Sequence, residues 1–105
     1  MQPVIVFTTV GANHDAHGFA TDLVEKRLAA CVNIVPRIDS IYRWRGDVVR
    51  EEEQLLIIKT LDERLDALKD AIFATHPYEV PEIVVVNVDD IGEAYREWLV
   101  TAVRG

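Results

Sequence analysis

The chain has 105 residues, half of them hydrophobic, and a formal net charge of −7. That length allows a single domain over residues 1–105 with one modest core, and that hydrophobic content excludes a disordered chain. The acidic balance argues against nucleic acid and against an anionic membrane surface, both of which need a basic face, while it suits cations.

Cys31 is the only cysteine, so no disulfide forms within the chain. A free cysteine of this kind is expected to be small, buried and inert rather than a reactive thiolate. Met1-Gln2-Pro3 carries no basic region before its short apolar run, and no stretch approaches the ~20 apolar residues of a membrane span. The expected compartment is the cytoplasm, with no membrane partner.

Val4 to Val10 is β-branched and apolar on both faces, which predicts a central strand. Gly11 to Asp15 is a loop, and Asn13 or Asp15 is placed to cap the helix that follows. Phe19, Leu23, Val24, Leu28 and Cys31 recur at helical spacing and predict one apolar stripe. Lys26 and Arg27 fall in the later turns, where the helix dipole favours cations.

Residues 32–44 then alternate. Even positions read Val32, Ile34, Pro36, Ile38, Ser40, Tyr42 and Trp44, and the odd positions are more polar. This predicts a long strand with one mostly apolar face, with Pro36 at an edge or a bulge. Gly46-Asp47 predicts a turn, and Val48 to Thr60 the returning strand. Each arm has roughly thirteen residues, on the order of 40 Å at ~3.3 Å per residue, about twice an ordinary strand. One helix layer cannot cover such arms. Ile41, Tyr42, Trp44, Val48 and Val49 near the tip would be exposed in a monomer, which predicts a homo-oligomer whose hairpins reach onto neighbours. The competing arrangement is a hairpin curled back over its own core.

Thr60-Leu61-Asp62-Glu63 has the form of a capping box, with Leu61, Leu65, Leu68, Ile72 and Phe73 as the stripe of the next helix. His76-Pro77 ends that helix. Ile83 to Val88 is a fourth strand, apolar on both faces. Asp90-Ile91-Gly92-Glu93 has the form of a second capping box before a helix carrying Ile91, Tyr95, Trp98, Leu99, Ala102 and Val103. The order β-α-β-β-α-β plus a helix predicts an α+β, ferredoxin-like fold, an antiparallel sheet with both main helices on one face.

The segment from His76 to Ile83 holds the densest chemistry. Pro77 and Pro81 stiffen a connector that carries His76, Tyr78, Glu79 and Glu82. A stiff loop between regular elements often carries a site, although the same groups would also suit a solvated turn. His14 and His17, three apart at a helix start, form a weak two-ligand metal pair or simply a polar helix entry. In the run Glu51-Glu52-Glu53, only Glu51 and Glu53 share a face of a strand, and Arg43, Arg45 and Arg50 are close enough in sequence to neutralise them by cross-strand pairing. The loop after the first strand lacks the arginine and the glycines of a phosphate cradle, and no nucleophile with its base is signalled locally. A binding protein is expected, not an enzyme.

Residues 76–83, His-Pro-Tyr-Glu-Val-Pro-Glu-Ile, resemble the signature of the CutA family of divalent-cation tolerance proteins. Leu23 to Pro36 agrees with it, as do Ser40 to Gly46 and Glu52 to Thr60, so the resemblance covers most of the chain. It implies a ferredoxin-like fold assembled as a homotrimer through long hairpins, and a role in divalent metal tolerance by binding or sensing metal ions. The family's copper ligands are a histidine in this turn, at times a preceding histidine, and a cysteine in the first strand. Here His76 matches the first, Thr75 stands at the second, and Phe7-Thr8-Thr9 lacks the third. The implied site is His76 with Glu79 as metal ligands and Tyr78 and Glu82 as helpers. It would bind Cu(II) or Zn(II) weakly, with no metal required. Architectural likeness to the PII signal proteins implies an alternative, an inter-subunit cleft of Trp44, Lys59, His76, Tyr78 and Glu79 that holds an anionic or zwitterionic small molecule or answers to a partner protein. Trp44 and Tyr42 serve equally as packing residues at a subunit contact.

Replacing Trp44 by Asp would place a carboxylate in that contact. Mass measured in solution should report loss of the oligomer, and a Trp44→Asp protein assembling with wild-type stability would contradict the hairpin-contact reading.

Overall fold

The computed structural model describes residues 1–105. Strand β1 (Pro3–Gly11) leads to helix α1 (Ala16–Glu25), then to strands β2 (Cys31–Trp44) and β3 (Asp47–Leu61). A short 3-10 turn over Asp62–Arg64 runs into α2 (Leu65–Thr75), followed by β4 (Val84–Asn87) and α3 (Glu93–Arg104). The four strands form one antiparallel sheet in the order β2-β3-β1-β4. This is the expected ferredoxin-like fold. Its long axis measures 44 Å against 26 and 23 Å across, because the hairpin of β2 and β3 projects beyond the helices.

One face of the sheet carries the core. Val4, Val6 and Val10 of β1 and Leu56 and Ile58 of β3 are buried against Ala16 and Leu23 of α1 and Leu68 and Ile72 of α2. Leu99 and Val103 of α3 pack with Ala30 and Leu61 in a smaller cluster. The other face meets a helix only at the end away from the hairpin, where Leu61, Lys59 and Ile5 lie against Tyr95, Leu99 and Val103 of α3. Ile5, Phe7, Val35, Leu55 and Ile57 are only half-buried there, and Val84 and Val86 are exposed. β4 is therefore an edge strand, apolar on both faces but covered on only one.

The alternation of β2 does not run unbroken. Val35 pairs with Leu55, but the next pair is Ile38 with Glu53, so β2 spends three positions where β3 spends two. The extra residue is a bulge at Pro36-Arg37, where a proline that cannot donate to the ladder is tolerated. Side chains alternate strictly, so one inserted residue moves everything after it to the opposite face. Val32 and Ile34 lie on the helix side, opposite Ile58 and Leu56. Ile38, Ser40, Tyr42 and Trp44 lie on the open side with Glu53 and Glu51. The single apolar face expected for the even positions is thus two half-faces.

The hairpin turn is Arg45-Gly46, one residue earlier than expected. Trp44 pairs with Asp47, and both turn residues have positive φ, 50° and 89°, as a two-residue turn matched to strand twist requires. The first helix is shorter than its apolar stripe. Asp15 caps it, its Oδ1 accepting from the Gly18 N–H at 2.9 Å. It ends at Glu25, after which Arg27 turns left-handed at φ 58°. Leu28 N–H then returns to the Leu23 carbonyl and Arg27 N–H to that of Val24, closing the last turn. Leu28 and Cys31 follow the helix, and Cys31 opens β2 half-buried rather than buried.

Neither capping box forms. Thr60 is still in the sheet, paired with Val4, and its hydroxyl donates to the Leu28 carbonyl at 2.8 Å. Glu63 turns away to a two-point pairing with Arg104 at 2.6 and 3.1 Å. Asp90 bonds only the adjacent Ile91 N–H, and Gly92 occupies the cap of α3 without a side-chain bond. Phe73, Tyr95 and Trp98 are exposed, so those stripes are narrower than their apolar residues suggest.

Thr60→Val would leave the Leu28 carbonyl without its partner while keeping the shape of the side chain. Urea unfolding should show a loss of about 1–2 kcal/mol, the usual cost of orphaning a buried acceptor.

Candidate functional site

The inserted residue in β2 builds the main recess of the chain. It lies on the open face near the hairpin, with a volume of about 540 Å³. Thr9, Ser40, Ile41, Tyr42 and Trp44 form its floor and wall, with Glu51 and Glu53 from β3. Tyr78, Glu79, Val80 and Glu82 of the proline-bracketed loop cover the other side. Three of the implied site residues outside the histidine, Tyr78, Glu79 and Glu82, therefore meet Trp44 here.

His76 sits behind the recess rather than in it. It ends α2 in an extended conformation, and its ring lies between β1 and the loop. Nε2 is 2.6 Å from the Thr9 carbonyl, and Nδ1 accepts from the Tyr78 N–H at 3.1 Å. Nδ1 must carry a lone pair to accept, so Nε2 carries the proton and donates to Thr9. Thr9 lies past the last pair between β1 and β4, Phe7 with Val84, so that β1 is paired there with β3 alone. His76 supplies the missing donor. Neither ring nitrogen is left to bind a metal unless one of these bonds breaks. Burial pushes the His76 pKa below its ordinary value, outweighing the Thr9 carbonyl, which acts the other way; His14 adds to the lowering.

Two phenols brace the carboxylates. Tyr78, packed edge-on to His76 at 4.8 Å, donates to Glu53 Oε2 at 2.8 Å, and Tyr42 donates to Glu51 Oε1 at 2.6 Å. The bond to Glu51 lifts the Tyr42 hydroxyl to about 12; burial first, then the bond to Glu53, lifts Tyr78 further. Burial and the charge of Glu53 raise Glu82 above the ordinary carboxylate range.

The expected neutralisation of Glu51 and Glu53 by arginine does not occur. Arg37 pairs with Glu52 at 2.8 Å and with Asp39, and Arg50 pairs with Asp39 at 3.6 Å, all on the opposite face of the hairpin. Strand alternation separates the two sets. Only Arg45, from the turn, reaches the recess, pairing with Glu79 at 3.2 Å while its guanidinium lies 5.5 Å from the Trp44 ring centre. Glu51, Glu53 and Glu82 have no cationic partner.

Lys59 is not part of this recess. It faces Ile5 and Cys31 further along the sheet, with its ammonium 5.9 Å from the Tyr95 ring, in a small hollow of about 170 Å³ shared with Pro3, Val88 and Leu99. The site within one chain is therefore acidic, where the cleft drawn with Lys59 suited an anion. His14 and His17 do not form a metal pair with a third ligand, and no group of three or more His, Cys, Asp or Glu side chains is assembled to hold an ion. Sequence reasoning missed Ser40 and Val80, whose approach to the site depends on the bulge and the loop path.

The fold and this recess define a class: a ferredoxin-like domain with an overlong central hairpin and a stiff loop folded onto it. The family model of the CutA1 divalent ion tolerance protein matches residues 4–102, and the chain belongs to that family. It is 47% identical over 95 residues to the Divalent-cation tolerance protein CutA of Thermus thermophilus, covering 90% of this chain and 92% of that one. It is 41% identical to Protein CutA of Homo sapiens over 93 residues, 89% of this chain but 52% of that protein, so it spans about half the length of the human relative. CutA1 from Oryza sativa superposes with a TM-score of 0.94 at 39% identity, over 99% of this chain and 95% of that chain. The Archaeoglobus fulgidus protein, described as a periplasmic divalent cation tolerance protein, superposes at 0.92 with 29% identity, over 97% and 99%.

The lowered pKa of His76 makes a pH prediction. Above its ordinary value of 6.5 the ring is neutral in both states, and its contribution to stability is complete. As pH falls below that value the unfolded chain takes the proton first, so stability declines until the folded ring also protonates. Urea midpoints followed from about pH 8 to about pH 5 should fall in wild type and fall less steeply in His76→Gln.

Proposed function

We propose that the chain works as a homotrimer that responds to divalent cations, and that the acidic recess on the open face of the sheet is where the cation is held. The observation that carries the reading is the separation of charge on the hairpin. Arg37 and Arg50 pair on one face, and Glu51, Glu53 and Glu82 are left without cationic partners on the other. Glu53 is 5% exposed and bonded to the Tyr78 hydroxyl, and a bound cation would supply the charged partner it lacks. The role is binding and not catalysis, and the names of the Thermus and Archaeoglobus relatives, both divalent-cation tolerance proteins, support it.

Trimer formation is supported by the part of the open face that α3 leaves uncovered and by exposed Ile41, Val48, Val84 and Val86, since an apolar surface of this kind marks association. The site takes Cu(II) or Zn(II) modestly. Glu79 must release Arg45 to serve as a ligand, and His76 must give up its bond to Tyr78. Within this reading His76 acts mainly by holding the loop against β1. No helix is long and apolar enough to cross a membrane. We place the protein in the cytoplasm, while the Archaeoglobus relative is described as periplasmic and an Arabidopsis relative as chloroplastic.

A second reading, a PII-like trimer that binds a small metabolite, is favoured by one observation. The recess of about 540 Å³ with its aromatic wall falls in the size range of small-molecule sites, roughly 300–1,000 Å³.

Calorimetric titration with buffered Cu(II) and then Zn(II), with mass measured in the same buffer, tests the reading. Saturable binding by a trimer is expected, weakened at least about tenfold in Glu53→Gln, as loss of a charged partner implies, and changed less in His76→Ala. Binding abolished by His76→Ala but untouched in Glu53→Gln would move the ion out of the recess. Absence of any saturable binding would remove the metal site.

A further inference from the structure

We propose that in the assembled protein the recess of each chain is closed by Lys59 of the partner subunit, whose ammonium pairs with the carboxylates of Glu51, Glu53 and Glu82. The pairing rests on the homotrimer proposed above and stands whether or not a metal ion binds.

A closed ring of three copies is joined head to tail, so each contact brings together two different patches of one surface. The first patch is the hairpin half of the open face. Glu51, Glu53 and Glu82 lack a cationic partner there, and Ile41 and Trp44 beside them are exposed. Glu79 is already paired with Arg45. Thr9 lines the same space at 8% exposure, and its hydroxyl has no hydrogen-bond partner within the chain. Polar groups buried to that degree ordinarily have one.

The second patch lies at the other end of the same face. Lys59 stands in a cross-strand row with Ile5 and Val86, beside the row of Ile57, Phe7 and Val84. It is half-buried and has no ion pair, and its ammonium lies 5.9 Å from the Tyr95 ring. Val84 and Val86 are exposed next to it, as a surface awaiting cover is. A second copy packed on that surface takes the ammonium out of water, and a charge so placed needs a counter-charge. Each patch holds the charge that the other lacks.

The remaining lysines do not serve. Lys26 is paired with Asp22 at 2.9 Å, and Lys69 belongs to α2, which packs on the opposite face of the sheet. Nor does the pairing close within one chain. Glu53 and Lys59 lie on the same strand, about 20 Å apart at ~3.3 Å per residue. Contact between them is therefore contact between copies. A divalent ion entering the recess has to displace this ammonium, so the neighbour's lysine sets the level of ion at which the site responds.

The test is zero-length cross-linking of the assembled protein by a water-soluble carbodiimide in EDTA, which joins an ammonium to a carboxylate it touches. Gels should show covalent dimers and trimers. Peptide masses should show Lys59 joined to the segment holding Glu51 and Glu53 or to the one holding Glu82. Lys59→Met should abolish those bands and Lys69→Met should keep them. Should Lys59→Met fail to assemble, Lys59→Arg keeps the charge and should form the oligomer while losing the cross-link. Urea dissociation gives a second reading. Glu53→Gln and Lys59→Met should each lower the midpoint, and the double variant should fall no further than the weaker single one, whereas sites that distant within a chain lose stability additively. An oligomer that yields no Lys59 cross-link to these carboxylates, or additive losses, would overturn the pairing and leave the trimer. A monomer by mass would overturn both. Zinc(II) added before the carbodiimide should reduce the cross-link, and an undiminished cross-link would count against the cation reading while leaving the pairing in place.

Discussion

Strict alternation of side chains along a strand, interrupted once, governs the chemistry of this molecule. The helix-side core needs Val32 and Ile34 beneath α1 and α2. Without an interruption the same parity would carry Tyr42 and Trp44 to the side of Arg37 and Arg50. The added residue at Pro36-Arg37 reverses the parity, so one strand serves the core in its first half and the open face in its second. Proline at that point is both permitted by the bulge and a reason for it, since it cannot bond to β3.

Everything distinctive about the site follows. The aromatic side chains of β2 join the carboxylates of β3 on the open face, and the strand arginines stay with Asp39 and Glu52 on the other. The loop from His76 to Glu82 then folds over them. Its position depends on His76, which bonds the end of β1 through one nitrogen and the Tyr78 backbone through the other. Tyr78 passes that restraint on to Glu53. The histidine nearest the site is thus more valuable as a brace than as a ligand, because a metal at either nitrogen would loosen the loop that carries Tyr78, Glu79 and Glu82.

Much of this was legible in the residues. Apolar runs and their periods located four strands and three helices, Pro36 marked the bulge, and the two prolines around Tyr78 marked the stiff loop. The consequence of the bulge was not legible. A one-residue phase change hides where apolar residues occur on both faces, as Val35 and Ile41 do among the odd positions. The two capping boxes misled for a different reason. Thr60 lies at a ladder position with its hydroxyl committed to Leu28, so tertiary placement overrode the local motif. The cleft drawn from likeness to the PII proteins groups Lys59 with His76, yet Lys59 lies beside Ile5 and His76 beside Thr9, at different ends of β1. Glu51 and Glu53 were correctly put on one face, but their freedom from arginine could be read only from the registered hairpin.

The most direct measurement is an anomalous diffraction map from crystals of the assembled protein soaked in a zinc(II) salt. A peak inside the recess against the Glu53 carboxylate is predicted. An empty recess in crystals that show zinc bound elsewhere would contradict the central claim that this bulge-built acidic face is a cation site.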